Sequence, residues 1–477
     1  MRAVRRVQRR VGEVASKAGT GRRASDGQKG GFKEAFEEEI FAEIDTLIGP
    51  GAGGDLDLEA IETAVRHQAL RVAARAVERR LNEDHSDQCG GEIVCRCGRP
   101  AQYAGRRAKG FISVLGRMRL ERAYYYCAVC QEGFAPRDRA LGIEETSLSP
   151  ALTRMTALVG SMVSFEEGSQ LLAELAGITL NAKHVERRAE ALGRQVAEDE
   201  RHFVVAPRAD QIAPTLYLGM DGTGAPMRPS ETAGREGKQP DGSAKTREVK
   251  LCIVWSAEGR DEDGVPVRDP GSVSYSAAIE SAATLDTDKL PSPFAQRVVR
   301  EATRRGFDRA CRRVVLGDGA PWIWNLAAEH FPDAIQIVDR FHAKQHLSEL
   351  AKAILGTAGQ TARAWASLRH DELDEGRLDD LLGAIEPYVS DNEEARKCHN
   401  YFSENRKRMS YQDFHDKGLC TSTGVVEAGC RVVVGTRLKR AGMHWTVRGA
   451  DAIIALRCSR LSGRFEDFWE RRSRCAA

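Results

Sequence analysis

Hydrophobic positions divide the chain into helical and strand-rich stretches. Between 32 and 48 and again between 56 and 81, apolar residues recur at three- and four-residue spacing, which predicts two helices. The same spacing returns over 148–204 and 341–415. Between them, over 214–340, short apolar runs separated by polar loops predict strands that alternate with helices. The pattern is that of a mixed α/β protein with long helical segments.

Five apolar runs in the central stretch have the length and bounds of buried strands. They lie at 215–221, 248–256, 272–280, 312–318 and 334–339. Helices are expected at about 291–306 and 320–330. Three strands followed by helix, strand, helix and strand is the order of an RNase H-like domain, in which the first and fourth strands lie side by side. We therefore expect an α/β fold with an RNase H-like catalytic core.

Changes of pattern along the chain predict seven segments. They are a basic disordered tail (1–31), a helical segment (32–86), a zinc-ribbon-like segment (87–140), a helix-turn-helix-like segment (148–204), the catalytic core (212–340), an all-helical insertion (341–415) and the C-terminal part of the core (416–470). A chain of 477 residues is long enough for two to four domains.

Charge is distributed unevenly, although the formal net charge is only +2. Residues 1–31 contain nine Lys and Arg against two acidic residues, a local charge of +7. This tail is either a solvated extension or an arm that holds nucleic-acid phosphates. No apolar segment follows it, as a secretory signal would require, and no run of ~18 apolar residues predicts a membrane span. We expect a cytoplasmic protein that does not bind a membrane.

Asp221 and Asp318 each follow an apolar run and precede a glycine, and Glu427 lies on a predicted helix at about 422–438. Each Asp-Gly taken alone is also a common turn. Two carboxylates after matching strands in an RNase H order favour a different interpretation. Together with Glu427 they predict a site for two Mg²⁺ or Mn²⁺ ions, the arrangement that cleaves and joins phosphodiesters. Arg431, four residues after Glu427, would pair with that carboxylate or hold a DNA phosphate.

Two pairs of the twelve cysteines flank predicted strands at 110–115 and 117–126. The candidate ligands are Cys95, Cys97, Cys127 and Cys130. Cysteine pairs on turns joined by a β-hairpin predict a tetrahedral, structural Zn²⁺ site. Cys89 is an alternative ligand within the first pair, and four incidental buried thiols remain the simpler alternative.

A helix from Phe165 to Gly177, a tight turn and a second helix at 182–197 have the length and turn residues of a helix-turn-helix. The second helix is basic. Its candidate DNA-binding residues are Lys183, Arg187 and Arg188. The alternative is an ordinary helical hairpin with a solvated face.

Two further features follow the fourth and fifth strands. Asp339 and His342 begin the helical insertion and would form either a substrate contact or a structural hydrogen-bonded pair. Trp322 and Trp324 fit the core better than a base-stacking platform.

Several motifs resemble those of ISKra-type insertion-sequence transposases. They are Tyr217–Gly224 (YLGMDGTG), Gly317–Asn325 (GDGAPWIWN), Asp339–His342 (DRFH) and Thr421–Glu427 (TSTGVVE). The segments Cys95–Gly98 and Arg122–Cys130 also look like the zinc-binding segment of that family. The likeness runs from about residue 90 to 460, but residues 1–31 have no counterpart.

The resemblance implies a DDE transposase with the triad Asp221, Asp318 and Glu427. Related Mutator-like transposases carry an all-helical insertion before the Glu, in agreement with 341–415, and their C/D-x-x-H motif corresponds to Asp339 and His342. The expected partners are terminal inverted repeats, target DNA and at least one further copy of the chain. A DNA-binding regulator that no longer cuts, and a nuclease without strand transfer, are the alternative functions.

Overall fold

A computed structural model of the protein describes residues 38, 42, 58–262, 264–283, 290–356 and 359–476. The predicted basic tail lies outside this part of the chain, and so does the first predicted helix at 32–48 apart from residues 38 and 42. Two compact units divide the described residues. The first consists of the described parts of Met1–Val159, Phe165–Val185 and Glu466–Ala477, and the second of Gly160–Ser164 and Glu186–Phe465.

The strands are β1 (Glu92–Val94), β2 (Pro100–Ser113), β3 (Gly116–Cys127), β4 (Glu132–Phe134), β5 (Thr215–Pro226), β6 (Thr246–Trp255), β7 (Gly259–Arg260), β8 (Pro266–Val267), β9 (Ser274–Ala278), β10 (Arg312–Gly317) and β11 (Ile335–Val338). The α-helices are α1 (Leu58–Glu83), α2 (Pro136–Ala140), α3 (Pro150–Met162), α4 (Phe165–Ala176), α5 (Ala182–His202), α6 (Pro229–Thr232), α7 (Pro293–Arg305), α8 (Pro321–His330), α9 (Arg340–Leu355), α10 (Gln360–Asp374), α11 (Leu378–Ile385), α12 (Glu393–Asn405), α13 (Tyr411–Asp416), α14 (Gly424–Cys430), α15 (Thr436–Leu438), α16 (Val447–Leu461) and α17 (Phe465–Ala476). Within the described residues, no helix combines the length and apolarity that crossing a bilayer requires.

The first unit contains an antiparallel sheet in the order β1-β2-β3-β4. Its central hairpin is longer than predicted, because β2 begins at Pro100 instead of at 110. The added stretch is polar and contains Gly105, which has a φ of 86°. The pairing of β2 with β3 shifts between Tyr103 and Arg106, and such a bulge lets a strand continue through residues without an apolar alternation.

The second unit contains a five-stranded sheet in the order β11-β10-β5-β6-β9. β10 is parallel to both β5 and β11, whereas β6 is antiparallel to both β5 and β9. The adjacency of the first and fourth strands, which the sequence predicts, is therefore present. The core of the sheet is apolar: Val249 and the residues from Leu251 to Trp255 are fully buried, and the Trp255 ring stacks on Tyr217 at 5.3 Å.

Helices cover both faces of this sheet, and glycines mark their close approach. A Cβ on Gly219 of β5 would lie 2.3 Å from Val426 of α14, and a Cβ on Gly429 of α14 would lie 2.1 Å from Ile253 of β6. Because residues on a strand alternate between faces, Lys250 points to the opposite side, where its Nζ lies 4.2 Å from the ring of Trp322 in α8.

The insertion is helical, as predicted, and comprises α9 to α13. The helix predicted at about 422–438 is instead divided into α14, a π-helical turn at Arg431–Gly435, and α15. Arg457 of α16 is buried and donates to the carbonyls of Val432 and Val433. Arg457 therefore contacts the backbone at the point where the helix is interrupted.

Candidate active site

Asp221 and Asp318 lie at the same edge of the five-stranded sheet. The parallel pairing of β10 with β5 reaches Leu316 opposite Gly219. Continuing this register by two residues on each strand places Asp318 level with Asp221. β10 ends at Gly317, immediately before Asp318.

β5, however, does not end at Asp221, as the sequence predicted. It continues to Pro226, because its antiparallel pairing with β6 extends that far. Asp221 instead marks the point where continuous burial along β5 stops, since the residues from Thr215 to Met220 are buried and the four that follow are partly exposed.

The Asp221 carboxylate is held by uncharged donors. Its Oδ1 accepts from the Gly222 amide at 2.6 Å, and its Oδ2 lies 3.2 Å from the Cys430 thiol of α14. Burial raises the pKa of Asp221, and the nearby charge of Asp318 adds to this rise, whereas His342 opposes it. A carboxylate in such surroundings is electrostatically suited to a cation.

Asp318 begins a tight turn. Its Oδ1 accepts from the Ala320 amide at 2.9 Å, and Gly319 between them has a φ of 100°. A side chain at Gly319 would be strained in that conformation. The glycine after Asp318 is therefore a requirement of the turn that orients this carboxylate.

Glu427 lies on α14, the helix that packs on β5, but its side chain is 75% exposed. It is 3.7 Å from Arg431, which is equally exposed at 74%. Glu427 precedes Cys430 by three residues and therefore shares a helix face with the thiol that contacts Asp221. The structure brings the helix of Glu427 to Asp221. Within the described residues, however, the ligand atoms of these three carboxylates do not form a group as close as 4.8 Å.

Asp339 joins two loops at the same edge of the sheet. It caps α9 by accepting from the Phe341 amide at 2.7 Å, and its other oxygen accepts from the Thr423 amide at 3.1 Å and from the Thr423 hydroxyl. Its hydrogen bond with His342 is to the backbone amide, at 3.4 Å. Burial raises the pKa of Asp339. The imidazole of His342 instead lies against His346, with ring centroids 5.0 Å apart.

The four predicted zinc ligands lie together in the first unit. The Sγ atoms of Cys95, Cys97, Cys127 and Cys130 are all within 4.8 Å of one another. Cys95 is 3.5 Å from Cys130, and Cys97 is 3.7 Å from Cys127. In a tetrahedral ZnS₄ centre with ordinary bond lengths, neighbouring sulfurs are about 3.8 Å apart. The donor set therefore fits Zn²⁺.

Hydrogen bonds within the cluster shift the pKa values of its thiols in opposite directions. A hydrogen bond with the Cys130 backbone is the main cause that lowers the pKa of Cys127, to about 7, whereas a hydrogen bond with Cys127 raises the pKa of Cys130 to about 12. The thiolate is the metal-binding form. Cys89 is outside the cluster, and its Sγ lies 3.7 Å from the Asp87 carbonyl.

The predicted helix-turn-helix consists of α4, a short turn and α5. Gly177, with a φ of 66°, ends α4, and the Asn181 side chain caps α5 by accepting from the His184 amide at 2.8 Å. A buried cluster that includes Leu172, Ile178 and Val185 packs the two helices together. Lys183 and Arg187 are exposed and Arg188 is half-buried, while α5 continues to His202, five residues further than predicted.

Trp324 is in the core, where it is 5% exposed. Two residues near the candidate site had no role in the sequence analysis. Cys430 contacts Asp221, and its position one helical turn after Glu427 could have identified it from the sequence. Tyr401 of α12 donates to the Asp318 carbonyl at 3.0 Å. Because the two residues are 83 positions apart along the chain, the sequence did not indicate this contact.

Comparison with known proteins gives distant similarities. No model of a protein family matches the chain. Over 351 residues it is 21% identical to a protein of Streptococcus gallolyticus described as "UPF0236 protein in vanSb 3'region". The alignment covers 71% of this chain and 70% of that protein.

A solved structure, the Drosophila P element transposase strand transfer complex, contains a chain with 12% identity to this one. The alignment covers 71% of this chain and 84% of that chain, with a TM-score of 0.26. A score of this size does not establish a common fold. The ISKra-type assignment stays a prediction from the motifs.

Proposed function

We propose that the protein is a DDE transposase that cleaves DNA at the ends of an insertion sequence and joins the freed ends to target DNA. The observation that carries the proposal is the placement of Asp221 and Asp318. The register of the parallel pair β5 and β10 places the two carboxylates level with each other, and that of Asp221 is half-buried beside uncharged donors. We further propose that the five-stranded sheet is the core of an RNase H-like domain, since its strand order and directions are those of that fold.

The proposed cofactors are two Mg²⁺ or Mn²⁺ ions and one Zn²⁺. The oxygen donors of Asp221, Asp318 and Glu427 suit Mg²⁺, which keeps most of its water ligands. Bound there, the ions would supply an activated oxygen nucleophile and stabilise the leaving oxygen. Asp221, Asp318 and Glu427 would hold these ions, with Asp221 as the central ligand, because it lies between Asp318, which directly follows β10, and α14, which carries Glu427.

Recognition of DNA is assigned to the basic residues and to the zinc segment. We propose that α5 presents Lys183, Arg187 and Arg188 to terminal inverted repeats, and that the Cys₄ ribbon also reads these repeats. Arg431, exposed one turn beyond Glu427, would hold a phosphate near the site. His342 would contact substrate. Joining two ends to a target requires at least two copies of the chain.

The test is Mg²⁺-dependent cleavage of labelled DNA that carries the element's own ends. Wild type is compared with Asp221→Ala, Asp318→Ala and Glu427→Gln. Glu394→Gln, an exposed helical glutamate of the insertion, is the matched control. We expect cleavage by wild type and the control, and a loss of at least about 100-fold in the three site variants, with end binding retained.

The outcomes separate the alternative functions. Full activity in Glu427→Gln alone would mean that the third carboxylate lies elsewhere, an outcome for which the exposure of Glu427 gives a reason. End binding without cleavage by wild type would favour a DNA-binding regulator. Cleavage without joining to target DNA would favour a nuclease.

A further inference from the structure

Two tyrosines of the helical insertion reach the sheet edge that carries the candidate site. The Tyr401 hydroxyl donates to the carbonyl of Asp318 at 3.0 Å, and the Tyr411 hydroxyl donates to the carbonyl of Val338 at 3.1 Å. These carbonyls lie at the ends of the neighbouring strands β10 and β11. The insertion is therefore bonded to the backbone from which Asp318 and Asp339 project.

The Tyr401 ring also fits the turn after Asp318. A Cβ built on Gly319 would lie 2.4 Å from Cε2 of Tyr401, well inside van der Waals contact. The ring thus occupies the space that a side chain at this position would take. It contacts the backbone of the residue next to Asp318, while its hydroxyl binds the carbonyl of Asp318 itself.

On its other side the Tyr401 ring packs against the first helix of the insertion. Its centroid is 4.4 Å from that of His346, which in turn contacts His342. Phe402, the next residue, is fully buried. Burial, together with the charges of Asp318 and Asp339, raises the pKa of Tyr401, so the phenol remains protonated and able to donate.

We propose that Tyr401 is a positioning residue for Asp318, through which the helical insertion sets the direction of this carboxylate. The proposal rests on the proposed function in one respect, the assignment of Asp318 as a metal ligand. The geometry of the turn does not depend on that assignment. The helical insertion would accordingly help to form the candidate active site by orienting Asp318.

The test compares Tyr401→Phe with Tyr388→Phe in the full chain. The first change removes the hydroxyl and keeps the ring on Gly319 and His346. The second is a matched change at another tyrosine of the insertion. Hydrogen–deuterium exchange of a peptide spanning 316–322 reports the turn, the Mn²⁺ concentration for half-maximal cleavage reports the carboxylate, and the unfolding temperature reports the fold.

For Tyr401→Phe we expect faster exchange in this peptide and a Mn²⁺ requirement raised about 3- to 10-fold, the effect of losing one neutral hydrogen bond. Tyr388→Phe should match wild type in both measurements. Unchanged exchange in Tyr401→Phe would overturn the proposal, and so would faster exchange with an unchanged Mn²⁺ requirement. If neither wild type nor the variants cleave DNA but exchange in Tyr401→Phe still increases, Tyr401 does stabilise the turn and the proposed function is wrong.

Discussion

At the scale of single residues, burial and charge conflict at Asp221. Its pKa is raised from 3.8 because the protonated form suits a buried site. Between the pKa of the unfolded chain and that of the fold, the native state binds more protons. Stability in the absence of metal therefore falls as the pH rises through this window.

Replacing Asp221 by Asn removes the buried charge and keeps the shape of the side chain. In EDTA at pH 7 we expect Asp221→Asn to unfold at a higher temperature than wild type. The increase should be roughly 1–2 °C for each kcal/mol of desolvation that is relieved, because a chain of this length unfolds with a large entropy change. Near pH 4 the difference should shrink, because a larger fraction of the wild-type carboxyl is protonated there than at pH 7. Thermal unfolding followed by circular dichroism at both pH values is the measurement.

Asp413→Asn is the control, since this carboxylate is exposed and pairs with Lys417 at 2.6 Å. It should show no comparable gain at pH 7. An Asp221→Asn variant that is less stable than wild type at pH 7 would show that the hydrogen bonds of this carboxylate outweigh its desolvation.

The cysteine cluster gives a second prediction for single residues. Wild type and Cys89→Ser should each bind one equivalent of zinc, because Cys89 lies outside the four-thiol cluster. Cys127→Ser should bind less than about one tenth of an equivalent and should unfold at a lower temperature, since structural zinc contributes directly to folding. Zinc analysis of the purified proteins decides the matter, and loss of zinc from Cys89→Ser would contradict the assignment.

At the scale of elements, the contact between α5 and α16 depends on a glycine. A Cβ on Gly193 would lie 2.1 Å from the Ala452 carbonyl oxygen, a backbone atom that has little freedom to move. We expect Gly193→Ala to destabilise the protein by about 1–3 kcal/mol through overpacking. Chemical denaturation measures this change.

Gly383 of α11 offers the matched substitution, because a Cβ there meets nothing within 4 Å. Gly383→Ala should be neutral or stabilise by about 0.5–1 kcal/mol, since alanine loses less backbone entropy in a helix. Equal effects of the two changes would mean that α5 and α16 move apart at little cost.

Apolar runs with flanking polar loops were sufficient to predict the strands of the central sheet and the order of its elements. The ends of these strands were less predictable where pairing with a neighbouring strand determines them. β5, for example, continues beyond Asp221 because it pairs with β6 as far as Pro226. The π-helical turn was not visible in the sequence, and Arg457, which binds two of its carbonyls, is more than twenty residues further along.

The same division holds for the candidate site. Asp221 and Asp318 were identifiable because each directly follows an apolar run whose composition is that of a buried strand. Tyr401 was not, because its role depends on a contact between distant segments, and a tyrosine in a helix ordinarily indicates packing. The exposure of Glu427 likewise depends on how α14 packs, which the local pattern does not determine.

At the scale of the whole molecule, the proposed DNA-binding residues lie on α5, and the division between the two compact units falls within that helix. We expect the double variant Lys183→Ala/Arg187→Ala to bind the element's ends more weakly. The dependence of log affinity on log salt concentration should fall by about one for each phosphate contact removed. Fluorescence anisotropy over a salt series measures both quantities.

Lys397→Ala is the control, because Lys397 is a surface lysine that pairs with Glu393 at 3.0 Å and with Glu394 at 2.9 Å. It should leave the affinity and the salt slope unchanged. If the α5 variant retains both, the helix hairpin is an ordinary packing element and another surface binds the DNA.

The hydrogen bonds of Asp339 and Arg340 with the segment before α14 bear on whether the helical insertion can be removed from the domain. The Arg340 amide donates to the Thr421 carbonyl at 3.0 Å, so the insertion leaves the core and returns to it at nearly one point. Because its two ends are adjacent, the insertion could be replaced by a short Gly-Ser linker without removing any strand of the sheet. The shortened protein would separate the folding of the sheet from the positioning of Asp318. We expect its sheet to assemble, while the turn after Asp318 would lack the hydrogen bond from Tyr401.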